Sequence, residues 1–175
     1  YEARIAMQYR LTKKFAVDCR IESLSTPCNT MSPLDDWFID VFRVNRKKVA
    51  MVTHAISTYT FFVPYAEVGG ARMIPGHINK LLTDFLYREN FTQHLDELER
   101  LAKSNIVYCK TVDRKILGHM NDFKRCVSFR LEENPTDFEG AEKMIAQIPV
   151  NIKSLGYTTP LDRMRELLNN YRKMS

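Results

Sequence analysis

The chain has 175 residues, 45% of them hydrophobic and 27% charged, with a formal net charge of +5. Those values fit an ordinary globular protein long enough to bury a real core. The four cysteines, Cys19, Cys28, Cys109 and Cys126, match no zinc spacing and are too few for a dense disulfide scaffold; isolated cysteines fit a reducing, cytoplasmic compartment.

In chain order, residues 3–11 alternate loosely between apolar and polar and predict a first strand. Thr12 predicts the cap of a short helix carrying Phe15, Ala16 and Val17. Residues 22–36, rich in Ser, Thr, Pro and Asn, read as a loop. The adjacent carboxylates Asp35 and Asp36 at its end would point to opposite faces of a strand, which argues for structural roles rather than shared chemistry.

Residues 37–64 organise the chain. The stretches 37–44 and 47–54 are rich in Val, Ile, Phe, Trp and Thr, which suit a pleated, half-buried surface. Asn45-Arg46 between them predicts a two-residue turn, since Asn tolerates positive φ. That turn sets the register: Val44 faces Lys47, Arg43 faces Lys48, Val41 faces Ala50, and Trp37 faces His54. One face then gathers Trp37, Ile39, Val41, Ala50 and Val52, and the other Phe38, Phe42, Val49 and Met51, diluted by Asp40 and Thr53. Both faces are partly apolar, so the hairpin should be covered on both sides. A third strand from Thr58 to Val63 continues the meander and ends at Pro64, which lacks a ladder donor. Uncharged though it is, the run 49–66 is too rich in Thr, Ser and Pro to span a membrane, and no secretory signal is visible in the chain, which begins at Tyr1.

After a loop containing Gly69-Gly70, too little to cradle a phosphate, helices are predicted at 77–89 and 92–103, the second capped by Thr92. A short strand at Ile106–Tyr108 follows. Asp113 caps a long helix whose buried stripe is Ile116, Met120, Phe123, Val127 and Leu131, although 126–131 also alternates as a strand would. Asn134-Pro135 breaks the chain, and Thr136 or Asp137 starts another helix. A connector at 150–157 turns at Gly156, and Thr159-Pro160 starts the last helix. The fold class is therefore α+β: one domain over 1–175, a mainly antiparallel sheet led by the meander, and helices packed on it, those at about 136–174 forming an extension.

The basic residues cluster. Arg43, Arg46, Lys47 and Lys48 lie within six positions at the hairpin tip, and no Asp or Glu occurs between Val41 and Ala66. Residues 100–130 hold eight Lys or Arg against two acids, Asp113 and Asp122. On the long helix Arg114, Gly118, Asn121 and Arg125 share the stripe opposite the buried one. A mid-helix Gly costs roughly 1 kcal/mol against Ala, which is understandable if a ligand or backbone approaches there. The candidate anion-binding set is thus Arg43, Arg46, Lys47, Arg114, Gly118, Asn121 and Arg125, with nucleic acid or another polyanion as partner. A solvated tip and helix face is the bland alternative.

The segments Arg10–Lys14, Trp37, Arg43–Lys48, Thr58 and Asp113–Asp122 together resemble an uncharacterised bacterial family of small, stand-alone intracellular proteins carrying a domain of unknown function. The resemblance runs from about residue 9 to residue 130 and rests most on the Arg-Lys turn after the Trp strand and on Gly118-His-Met-Asn-Asp122. It implies a compact intracellular protein and supplies no activity, cofactor or catalytic residue.

Other chemistries are weakly signalled. His119 and Asp122 lack a third metal ligand at convincing spacing, so no metal site is assigned. A Cys109 or Cys126 nucleophile with His119 and Asn121 is a constellation many chains would offer. The leading reading is a non-enzymatic accessory protein that binds a polyanion. The alternatives are an enzyme on a phosphate-bearing substrate, with His119, Asn121 and Asp122 near the chemistry, or an interaction module, dimeric or antitoxin-like. No cofactor and no membrane partner is expected.

Overall fold

A computed structural model describes residues 6–152 and 156–171. Five strands, β1 (Ala6–Leu11), β2 (Asp36–Val44), β3 (Lys47–His54), β4 (Thr60–Pro64) and β5 (Asn105–Lys110), form one sheet in the order β4-β3-β2-β1-β5. Its helices are α1 (Lys13–Cys19), α2 (Tyr65–Val68), α3 (Ile74–Arg88), α4 (Leu95–Ala102), α5 (Arg114–Glu133), α6 (Phe138–Ala146) and α7 (Pro160–Tyr171). Strands β6 (Val150–Ile152) and β7 (Gly156–Thr158) make a small separate hairpin where a connector was expected.

The class is α+β, but the sheet is mixed rather than mainly antiparallel. β2 pairs antiparallel with β3, and β3 with β4, while β1 runs parallel to both β2 and β5. Helical crossovers cause this: α1 returns the chain alongside β1, and α3 and α4 carry it to the far edge. Residue alternation along a strand is the same for either direction, so the sequence pattern could not reveal it.

The central hairpin has the predicted register at every pair from Trp37↔His54 to Val44↔Lys47. Asn45 and Arg46 both have positive φ, 47° and 68°, as a type I′ turn requires. β4 begins at Thr60, two residues later than expected, because Ser57 and Thr58 are used in the turn from β3: Ser57 N donates to His54 Nδ1, and Thr58 N to His54 O.

Both faces are covered. Trp37, Ile39, Val41, Ala50 and Val52 belong to a core completed by α1, α3, α4 and α7. Phe38, Val49, Met51 and Phe62 meet Ile116, Met120, Phe123, Val127 and Leu131 of α5 and Ala141 and Ile145 of α6. α5 is one continuous helix through 126–131, which removes the rival strand. Its start is fixed by the Asp113 carboxylate, which accepts from Lys115 N and Ile116 N; such a cap contributes about 1 kcal/mol. Thr12 likewise caps α1, Asp137 caps α6, and Thr159 Oγ1 accepts from Asp162 N at the head of α7. Thr92 does not cap its helix. It opens a single 3-10 turn, Thr92–His94, that leads into α4 without a side-chain cap. Val17, expected on the apolar side of α1, is 75% exposed. Among the described residues no helix is long and apolar enough to cross a membrane.

Candidate functional site: a basic cleft beside the hairpin

The site is built around one buried carboxylate. Asp40 projects from β2 on the α5 side, where it would be an unpaired charge in an apolar layer. Its Oδ1 accepts from Thr12 Oγ1 at 2.7 Å and from Val41 N at 2.8 Å, and its Oδ2 takes an ion pair from Lys124 of α5. One side chain thereby ties the cap of α1, the centre of β2 and the middle of α5 together. A parallel bond lies next to it: Arg10 Nε and Nη2 bind both oxygens of Asp36 at 2.9 and 2.6 Å, with the guanidinium 5.0 Å over the Phe38 ring.

This anchoring leaves a cleft of about 790 Å³ between α1, the hairpin and α5. Lys13 and Lys14 enter from the first turn of α1, Arg43 and Lys48 from the hairpin, and Lys124 from α5; Val17, Val41 and Phe42 supply apolar surface. Among the described residues Asp18 is the one acid lining it. Burial raises its pKa, but hydrogen bonds from Lys48 Nζ at 2.6 Å and Tyr65 Oη at 2.8 Å outweigh that and hold its carboxyl below the usual carboxylate range. The like-charged pair Arg43↔Lys48 is relieved by divergence: Lys48 turns to Asp18, and Arg43 Nη1 donates to the Arg46 carbonyl at 2.8 Å. Lys13, Lys14, Arg46 and Lys47 are exposed, and among the described residues none has an ion-pair partner.

The predicted anion-binding residues divide. Arg43 lines the cleft, with Arg46 and Lys47 at the turn beyond it; Asn121 does not line it, but its Oδ1 accepts from the cleft's Lys124 Nζ at 3.4 Å. Arg125 is exposed and pairs with Asp122 at 3.8 Å. Arg114 and Gly118 are exposed nearer the start of α5; Arg114 lies ten residues, about 15 Å, from Lys124 along the helix. Gly118 has no neighbour within 4 Å of where a Cβ would stand, so nothing described in this chain requires glycine there. Sequence reading missed Lys13, Lys14 and Lys124 because they come from elements far apart in the chain. The signal for Lys124 was Asp40, a carboxylate on an apolar face that needed a cation.

The start of α5 borders a different cavity, of about 260 Å³, lined by Ser57, Thr58, Asp113, Lys115, His119 and Arg163 among others. Burial, reinforced by Lys115, lowers the pKa of His119 against the opposing pull of Asp122 and Asp113. His119 lines that cavity and is half-buried, whereas Asn121 and Asp122 do not line it and are exposed. Behind this cavity His54 is buried and bonds Ser57 Oγ through Nδ1 at 2.9 Å; its pKa falls to about 4 through burial. No group of three or more His, Cys, Asp or Glu among the described residues is placed to hold a metal.

The chain belongs to a family described as a domain of unknown function, DUF6933. Its sequence model matches residues 8–163, so the match takes in the hairpin, the cleft and the 260 Å³ cavity. No curated protein matches the chain.

Proposed function

We propose that this protein binds a polyanion, with nucleic acid as the ligand class, and does so as a non-enzymatic accessory protein in the cytoplasm. The observation that carries the reading is the cleft: Lys13, Lys14, Arg43, Lys48 and Lys124 converge on one concave surface whose single acid among the described residues, Asp18, is already occupied. Cations brought together from α1, the hairpin and α5 suit a chain of phosphates better than a single small ion. The turn adds support. Arg46 occupies a left-handed position where glycine is favoured, at a cost of about 1 kcal/mol. The fold gains nothing visible from an arginine there, whereas a phosphate-binding tip would. Four free cysteines support the cytoplasmic setting.

Fluorescence anisotropy with labelled single- and double-stranded oligonucleotides across a salt series tests the reading. Binding should weaken steeply with salt, since each phosphate contact releases counterions. Replacing Arg46 and Lys47 together by Ala should lower the salt slope by about 2. Absence of binding at low salt would reject the polyanion reading and turn attention to a protein partner or a second copy of the chain.

A further inference from the structure

Two of the four cysteines meet on one acceptor, away from the cleft. Cys109 lies on β5 opposite Arg10 of β1 and is fully buried. The chain segment 25–28 docks against it: Ser25 N donates to Tyr108 O and Lys110 N to Ser25 O, both at 2.9 Å. Three residues on, Cys28 is exposed but held by its backbone, since Cys28 N donates to Gln8 Oε1 at 3.0 Å and Gln8 Nε2 donates to Cys28 O at 3.4 Å. The same Gln8 Oε1 receives both thiols, Cys28 Sγ at 3.5 Å and Cys109 Sγ at 3.4 Å. The two sulfurs therefore lie no farther apart than the sum of those two distances.

We propose that Cys28 and Cys109 form a reversible oxidation site, at which a hydroperoxide converts the two thiols into one disulfide. The roles follow from exposure. A solvent-borne oxidant reaches Cys28 and not Cys109. In the first step the Cys28 thiol gives up its proton and its sulfur attacks the peroxide: an S–O bond forms, the O–O bond breaks, and the leaving oxygen takes up that proton and departs as an alcohol, or as water when the oxidant is hydrogen peroxide, so that sulfur is oxidised by two electrons and the peroxide is reduced by two. In the second step the Cys109 thiol gives up its proton, its sulfur attacks the Cys28 sulfenic acid, the S–S bond forms, and the S–O bond breaks with loss of water. Burial pushes the Cys109 thiol up to about 11, so at neutral pH it rests protonated and its proton must leave as the S–S bond forms. Closing the bond requires Cys28 to swing past Gln8 Oε1. Cys28 lies in a stretch without regular structure, so the movement leaves the sheet intact. The other thiols are placed differently: Cys19 is buried and bonds Ala71 O, and Cys126 is exposed on α5.

The test is to treat the folded, reduced full chain with hydrogen peroxide, block remaining thiols with an alkylating agent, and map peptides without reduction. The wild type should lose two hydrogens in mass, yield a linked Cys28–Cys109 peptide, and recover both thiols with dithiothreitol. Cys109→Ser should stop at a Cys28 sulfenic acid that a dimedone probe labels, and Cys28→Ser should leave Cys109 unmodified. Both substitutions are near-isosteric, and a thermal melt close to that of the wild type confirms that each variant is folded. Oxidation of wild-type Cys28 to sulfinic acid without a linked peptide, no oxidation at all, or linkage through Cys19 or Cys126 would overturn the proposal.

Discussion

At the base of the β2–β3 hairpin Asp36, Thr53 and His54 are buried, and each has a hydrogen-bond partner in Arg10, Thr60 or Ser57. At the tip, seven residues along the same strands, Arg43, Arg46 and Lys47 stand in solvent, and none of them is ion-paired with a carboxylate among the described residues. One end is closed by its own side chains and the other is left open on one sign of charge. The difference separates stability from binding: substitutions at the base should unfold the protein, while substitutions at the tip should spare the fold and change only what it holds.

The largest effect is expected from Trp37→Ala. Trp37 is fully buried, donates from Nε1 to Leu34 O at 2.8 Å, and packs 4.8 Å from the His54 ring and 5.8 Å from Phe61. Removing it should cost about 3–5 kcal/mol, read as a lowered denaturant midpoint. Val41→Asp should also be strongly destabilising, since Val41 is buried on the α1 side of the sheet. An unchanged midpoint for either would break the contrast at its stable end.

The base should also respond to acid in a way the tip does not. His54 is held to about 4, against 6.5 for an ordinary histidine, by burial. Between those values the unfolded chain takes up a proton that the fold refuses, so this contribution is intact above 6.5 and lost as pH falls to 4. Asp35 opposes it. Burial raises its carboxyl from 3.8 to about 6, against hydrogen bonds from Ser32 and Met31, so the fold takes up its proton first and gains stability as pH falls from 6 to 4. The two slopes nearly cancel. Asp35→Asn should expose the loss and His54→Gln the gain, each changing the slope of unfolding free energy by on the order of 1 kcal/mol per pH unit. Identical slopes in the wild type and both variants would contradict these assignments.

A smaller effect sharpens the contrast at the tip. Arg46→Gly removes a side chain from a left-handed position, so it should raise stability by about 0.5–1 kcal/mol while weakening oligonucleotide binding. Asp18→Asn should tighten binding by freeing Lys48 in the cleft. A variant of Arg46 that becomes stabler and binds equally well would show the tip to be a solvated turn.

Much of the hairpin was legible in the sequence because a two-residue turn fixes every pair beyond it, and the buried stripe of α5 because five apolar residues recur at helical spacing. The parallel strands were not legible, since apolar alternation carries no direction. The site was half visible. Arg43, Arg46 and Lys47 lie close together in sequence, but Lys13, Lys14 and Lys124 meet the hairpin only once α1 and α5 pack on the sheet, where Asp40 bonds Thr12 and Lys124. Gly118 suggested a close approach because glycine is unfavourable inside a helix, and its surroundings proved open.

The most direct test of the central claim is oligonucleotide affinity for Lys13→Ala–Lys14→Ala, with Lys115→Ala at the far end of α5 as the matched control. The cleft double variant should lose affinity at low salt and about 2 in salt slope, with its melt nearly unchanged, because exposed charges contribute little to stability. Lys115→Ala should bind as the wild type does. Equal losses in both variants, or none in either, would contradict the cleft as the binding surface.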